Sequence, residues 1–225
     1  MASLKLHYLF DPLCGWCYAS APALERLAHE FPQALQLCPT GLFSGDGARA
    51  ITPAFAMHAR SNDQRIASLT GQLFSPGYFQ RILGGANMRF DSMAMSRALT
   101  AVREIDATLE PVLFHRLQTE RYVEGLDTSS PDIVARISVD LLRNEGHELS
   151  ESEFATRLQH GKNLAKQTRQ RIEDAQFLMD QAGASGVPLL LVEIDDSVHS
   201  FSGADLYAAP GDLIAKIEQI ASTTA

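Results

Sequence analysis

Cys14 and Cys17 bracket Gly15-Trp16 in the stretch FDPLCGWCYASAPALERL, which makes two of the chain's three cysteines a CxxC pair. Such a pair can serve as a dithiol–disulfide couple or as half of a metal site. A structural zinc site takes about four Cys or His ligands at short spacings. No second CxxC follows, no HxxxH is present, and His29, His58, His115, His147, His160 and His199 show no ligand spacing with the pair. The expected number of metal sites is therefore none. The glycine-rich TGLFSGDG has no GxxxxGKS pattern and opens no helix in the manner of a phosphate loop. A redox couple and an accident of composition are the readings that remain.

The pair has the spacing that redox chemistry requires. Cys14 falls where a helix begins, so free N–H groups and the helix dipole favour a negative charge there. The thiolate is the nucleophile, and a helix N-terminus lowers a thiol pKa from about 8.5 into the range of roughly 3.5–7.5. Cys17 lies nearly one turn later, on the apolar stripe Cys17, Ala21, Leu24, Leu27/Ala28 and Phe31. The expectation is an exposed nucleophile, Cys14, and a buried resolver, Cys17, acting through a mixed disulfide. Trp16, the sole tryptophan, is either a lid over the thiol or an ordinarily half-buried side chain. Cys38 reads as a small buried hydrophobe, with a third redox thiol as the alternative. His7 is either buried and satisfied or tunes the Cys14 thiolate. Arg49, His58 and Arg60 either line a cleft or lie in solvent.

The elements that must position these residues can be traced along the chain. SLKLHYLF at 3–10 reads as a strand, with Leu4, Leu6, Tyr8 and Phe10 on one face. A helix runs from about Cys14 to Glu30, bent at Pro22. A strand at 34–39 follows. From Ile51 the texture is helical. Thr52-Pro53 starts a short helix and Ser75-Pro76 another. Asp91 caps a helix over 92–105. A further helix spans Pro111 to Glu124, and Ser130-Pro131-Asp132 opens the next. Ser150-x-x-Glu153 is a capping box, and a long helix ends at Gly183. Strand character returns in VPLLLVEI and VHSFSG around Asp195-Asp196-Ser197, followed by a helix from about Asp205 to Ile220. Pro188 stands at a strand's first residue, where the missing N–H does no harm. Neither pair of strands makes a stable sheet alone, so the two ends must pair, and the helical block is an insertion into one α/β domain.

Composition narrows the function classes. Apolar residues make up 45 % of the chain and charged residues 20 %, with a formal charge of −8 and a pI near 5.3. These are ordinary globular values that speak against disorder and against nucleic-acid binding. The one basic cluster, Lys162, Lys166, Arg169 and Arg171, is followed at once by Glu173-Asp174 and reads as a solvated helix face. MASLKLHYLF is too short and too interrupted for a secretory h-region, and no window approaches the roughly 18 apolar residues of a membrane span. The expectation is a soluble, cytoplasmic protein, where a CxxC is more often catalytic or metal-binding than structural.

The chain resembles the DsbA-like branch of the thioredoxin superfamily, and within it the cytoplasmic FrnE-like protein-disulfide isomerases. The resemblance covers nearly the full length. It rests on Asp11-Pro12-x-Cys14-Gly15-Trp16-Cys17-Tyr18, on Pro22 and on Gly186-Val187-Pro188. It implies an α/β thioredoxin fold with an inserted all-helical subdomain. Residues 1–45 would form its first half, 46–162 the insertion and 163–225 the second half. It implies a thiol–disulfide oxidoreductase or isomerase with Cys14, Cys17 and Pro188 as its catalytic residues. A cis Pro188 would face the sulfurs, and the Val187 backbone would pair with an extended substrate beside Trp16. No cofactor beyond the cysteine pair is expected, with glutathione a candidate co-substrate. The expected partners are protein or small-molecule thiols and disulfides, with no nucleic acid and no membrane. The chain departs from the pattern at Tyr8, where many thioredoxin-like proteins carry a buried acid. Asp11 is the candidate substitute, or else a turn residue, which leaves Asp11, His7 and Tyr8 as candidates for tuning the thiols. The second cysteine pair of some FrnE-like proteins is absent. The alternative activity is that of a kappa-type or 2-hydroxychromene-2-carboxylate isomerase acting with glutathione. A non-enzyme alternative is a helical adaptor with a vestigial redox fold.

Overall fold

A computed structural model describes residues 4–195 and 197–223. Strand β1 (Leu4–Phe10) alternates strictly. Leu6, Tyr8 and Phe10 enter one core and Leu9 another on the opposite face, as the two-residue period of a strand demands. β1 pairs in parallel with β2 (Leu35–Pro39) and antiparallel with β5 (Leu189–Ile194), which pairs antiparallel with β6 (Ser197–Ser202). The sheet order is β2-β1-β5-β6. The ends of the chain therefore meet as expected, with Leu4 opposite Ile194 and Leu9 opposite Leu189. Of the residues expected in this sheet and its turn, Ser3 and Asp196 lie outside the described residues.

The helix expected over 14–30 is two helices, α1 (Gly15–Ala19) and α2 (Ala21–Glu30). Pro22 has no N–H, and its ring would clash with a carbonyl one turn back. The chain therefore restarts at Ser20, and Pro22 sits in the first turn of α2. Between β2 and the closing strands lie α3 (Pro53–Thr70), α4 (Met93–Ile105), α5 (Leu109–Tyr122), α6 (Pro131–Asn144), α7 (Glu151–His160) and α8 (Lys162–Gln181). The helix opened by Ser75-Pro76 is a π-helical turn over Tyr78–Leu83, and the structure adds a two-residue ribbon, β3 (Arg49–Ala50) with β4 (Arg89–Phe90), that no sequence pattern announces. α3 is an 18-residue helix rather than a short one. The closing helix is also split, into α9 (Ala204–Tyr207) and α10 (Pro210–Thr223), at another proline.

The capping residues perform their expected roles. Thr52 Oγ1 accepts from Phe55 N–H, Ser150 Oγ from Glu153 N–H, and Asp91 Oδ1 from Met93 N–H. Helices and sheet share one core, in which Phe10 and Phe114 meet at 4.3 Å between ring centres. Arg171 departs from the solvated-face expectation. It turns inward to donate to the Leu37 carbonyl and the Thr100 hydroxyl and to pair with Glu110. Glu110 is buried, and Arg103 holds its other oxygen at 3.2 Å.

Candidate active site

Pro12 ends β1, and the three residues before the helix are tied down by Asp11. Its Oδ1 accepts from Leu13 N–H at 2.9 Å, and its carbonyl accepts from Cys14 N–H at 3.0 Å. Cys14 then takes an extended conformation, φ −74° and ψ 118°, as the N-cap of α1. Its carbonyl receives the first helical bonds, from Cys17 N–H and Tyr18 N–H.

Both thiols are free, and they neighbour each other closely enough for a charge on Cys14 to raise the Cys17 pKa. Cys17 is 0 % exposed and Cys14 only 8 %, so the expected nucleophile is less exposed than its position at a helix start suggests. What covers it comes from the far end of the chain. The Val187–Pro188 bond is cis, and the Cys14 thiol donates to the Val187 carbonyl at 3.5 Å. Burial is the main force pushing the Cys17 thiol up, with the hydrogen bond to Cys14 and the Cys14 charge adding to it.

Gly15 is fixed by contact with the insertion. A Cβ there would lie 3.0 Å from Ile66 Cδ1 and 3.3 Å from Asp63 Oδ1, both on α3. Asp63 is itself buried, accepts from the Tyr78 hydroxyl at 3.1 Å, and is pushed up to about 7 chiefly by burial, against the pull of Tyr78 and Arg121.

Tyr8 lies beneath the pair with no exposure, its hydroxyl 2.7 Å from Ser20 Oγ. Ser20 Oγ also lies 3.2 Å from the carbonyls of Trp16 and Cys17, to which it donates, leaving Tyr8 as the donor to Ser20. Burial first, and then the charge of Cys17, push the Tyr8 pKa well above its ordinary value. Tyr8 therefore stays a neutral phenol in the place of a buried acid. Asp11 is the buried carboxylate near the pair. It is 0 % exposed and accepts from Phe43 N–H at 3.0 Å and from Ser92 Oγ at 2.8 Å as well as from Leu13. Burial pushes it up to about 6, with the three hydrogen bonds opposing. It meets Cys17 twice, because its backbone N–H stabilises a Cys17 thiolate and its carboxylate opposes one. Asp11 thus holds the turn before α1 and lies close enough to act on the Cys17 thiol.

His7 is a correction. It alternates with Tyr8 and so faces away from the cysteines, with Nε2 3.4 Å from Glu193 and a hollow shared with Cys38, Arg103 and Arg171. It is not placed to tune Cys14. Cys38, on that same side, is pushed up to about 12 by burial, which keeps it a protonated thiol. Arg49 donates to the Gly47 carbonyl, Arg60 lies 4.5 Å over the Phe79 ring, and His58 contacts Asn62. None of the three lines the cleft beside the cysteines.

That cleft has a volume of about 460 Å³ and runs along Gly183–Leu189 to Ser202, Gly203 and Tyr207. Trp16 forms one wall, half-buried, with its ring 5.3 Å from that of Tyr207 and 5.7 Å from the Arg65 guanidinium carbon. Reasoning from sequence misses Arg65, Tyr207, Asp63 and Ser92, because each reaches the site through a tertiary contact that no local pattern announces. Among the described residues no group of three His, Cys, Asp or Glu is placed to hold a metal, and no helix is long and apolar enough to cross a membrane.

No family model matches the chain, and no curated protein sequence matches it. Solved structures do. A cytosolic disulfide reductase, DsbM, from Pseudomonas aeruginosa is 28 % identical, with a TM-score of 0.80 over 96 % of this chain and 97 % of that one. The same reductase with glutathione superposes with a TM-score of 0.77 at 28 % identity, over 96 % and 98 % of the two chains. A provisionally assigned protein disulfide isomerase from Nitrosomonas europaea has a TM-score of 0.70 at 22 % identity, over 95 % and 98 %.

Proposed function

We propose that this chain, a DsbA-like member of the thioredoxin superfamily, is a cytoplasmic thiol–disulfide oxidoreductase or isomerase that works through the Cys14-Gly15-Trp16-Cys17 pair. The observation that carries this reading is the placement of Cys14 Sγ against the Val187 carbonyl with Cys17 buried beside it. The full-length likeness to a cytosolic disulfide reductase supports both the activity and the compartment.

In the reducing direction the Cys14 thiolate attacks one sulfur of a substrate disulfide. A Cys14–substrate disulfide forms and the other substrate sulfur leaves as a thiolate, which takes a proton from solvent. Cys17 then loses its proton and attacks Cys14 Sγ. The second substrate thiolate leaves, and Cys14–Cys17 is oxidised by the two electrons the substrate gained. Two thiols of a small reductant restore the dithiol and depart as their own disulfide. The DsbM structure with glutathione supports glutathione in that role. Burial disfavours the Cys17 thiolate, so Cys17 attacks only once Cys14 is engaged. The Val187 main chain and the Trp16 ring border the cleft where a substrate strand would add to the protein edge.

A second reading follows from a shared fold. A 2-hydroxychromene-2-carboxylate isomerase superposes with a TM-score of 0.57 at 16 % identity, and such isomerases need no second thiol. The test separates the two. Under the proposal Cys14→Ser abolishes dithiol exchange, and Cys17→Ser accumulates a mixed disulfide visible by mass spectrometry. Full exchange in Cys14→Ser, or full glutathione-dependent activity in Cys17→Ser, would overturn it.

A further inference from the structure

The cleft beside the cysteines carries one positive charge. Its walls are the Trp16 and Tyr207 rings and the main chain leading to Pro188, and Arg65 of α3 lines it as well. Arg65 is exposed and makes no ion pair or hydrogen bond among the described residues. Its planar cation lies 5.7 Å from the Trp16 ring centre, close enough for the ring to orient it. No carboxylate lines the cleft, although the chain as a whole carries −8. A guanidinium left without a partner, in a cleft next to the nucleophile and on an otherwise acidic protein, is suited to a ligand carboxylate, which it can grip with two parallel hydrogen bonds.

We propose that Arg65 makes this cleft select small disulfides and thiols that carry a carboxylate, discriminating against neutral and cationic ones. The inference rests on the dithiol reading above. Arg65 holds the carboxylate of the half of the disulfide that Cys14 attacks. Trp16 and Tyr207 flank that half, and the leaving thiolate departs on the solvent side. The redox step is unchanged. Cys14 Sγ bonds to one substrate sulfur, the substrate S–S bond breaks, and its electron pair leaves with the other sulfur. Arg65 takes no part in the electron flow and acts on binding alone, so its removal raises KM and spares kcat.

Three disulfides of differing charge test this: glutathione disulfide (anionic), hydroxyethyl disulfide (neutral) and cystamine (cationic). In Arg65→Ala the kcat/KM for glutathione disulfide should fall about tenfold while that for hydroxyethyl disulfide stays within about twofold. Arg65→Lys should recover part of the loss, and Arg65→Glu should turn the preference toward cystamine. High salt should shrink the wild-type preference, because an exposed charge contact is screened. Equal changes for the anionic and neutral disulfides, or none, would overturn the proposal. A second readout needs no turnover. Trp16 is the sole tryptophan, so its fluorescence reports S-methylglutathione binding in a Cys14→Ser background. That affinity should weaken about tenfold with the diester of the ligand, and to a similar extent with Arg65→Ala. Charge-dependent binding without wild-type turnover would sink the dithiol reading and leave the carboxylate site standing. Turnover without charge preference would sink the carboxylate site alone.

Discussion

Replacing Asp63 by asparagine should remove much of the pH dependence of stability around neutrality. Asp63 is buried against Gly15 and is pushed up from 3.8 to about 7 chiefly by that burial. The unfolded chain releases this proton near 3.8 and the folded chain near 7, so between those values the folded state binds more protons. Stability from this group therefore falls as pH rises and reaches its full penalty above about 7. At about 1.36 kcal/mol per pKa unit, the loss between about pH 5.5 and pH 8 is about 2 kcal/mol. For a chain of this size that is about 4–8 °C in melting temperature. The substituted amide keeps an oxygen to accept from Tyr78 but cannot ionise. The groups facing Asp63 do not confuse the comparison. Tyr78 and Tyr122 are pushed up by burial, and Arg121 is present in both proteins. Asp11, which titrates near 6, is present in both proteins and cancels. Urea or thermal unfolding of both variants across this range should show the wild type losing about 2 kcal/mol more than Asp63→Asn. Parallel curves would mean that Asp63 ionises normally in the folded protein and that its burial has been misjudged.

Asp11→Ala strips the acceptor from Leu13 N–H, Phe43 N–H and Ser92 Oγ. At about 1–3 kcal/mol for each buried donor left unpaired, it should cost about 3 kcal/mol or more in urea unfolding, and a loss under about 1 kcal/mol would contradict the network. Phe114→Ala removes the ring that meets Phe10 between insertion and sheet. It should cost about 3–5 kcal/mol in one cooperative transition, whereas two separate transitions would show that insertion and sheet unfold independently. Tyr8→Phe deletes one buried hydrogen bond, to Ser20, for about 1 kcal/mol. It should leave the pH profile of the Cys17 resolving step in place, and a shifted profile would make Tyr8 the proton partner of that thiol.

The sequence reveals most clearly what repeats locally. Alternation in β1, the caps at Thr52 and Ser150, and the stripe through Cys17 and Leu24 are all governed by near neighbours, and the structure keeps them. Pro22 is visible in the sequence, but its effect is larger than a bend, because a ring at that position breaks the helix at Ser20. The cysteine pair is legible from its own spacing, whereas the cis bond at Pro188 and the place of Val187 beside Cys14 are expected only from the family resemblance. His7 misleads because nearness in sequence to Tyr8 means the opposite face of a strand. Arg65, Asp63 and Ser92 are hidden because their partners lie 49, 48 and 81 positions away, at Trp16, Gly15 and Asp11. Arg171 reads as a solvent cation until the buried Glu110 that claims it is known.

The thiol of Cys14 and the carbonyl that shields it are 173 positions apart. At the ribosome's pace of about 5–20 residues per second, the shield is made roughly 10–35 s after the cysteines. Through that interval the nascent protein carries two vicinal thiols with no roof, open to any oxidant or neighbouring disulfide it meets. The cover over the sulfurs is thus among the last parts of the site to be made.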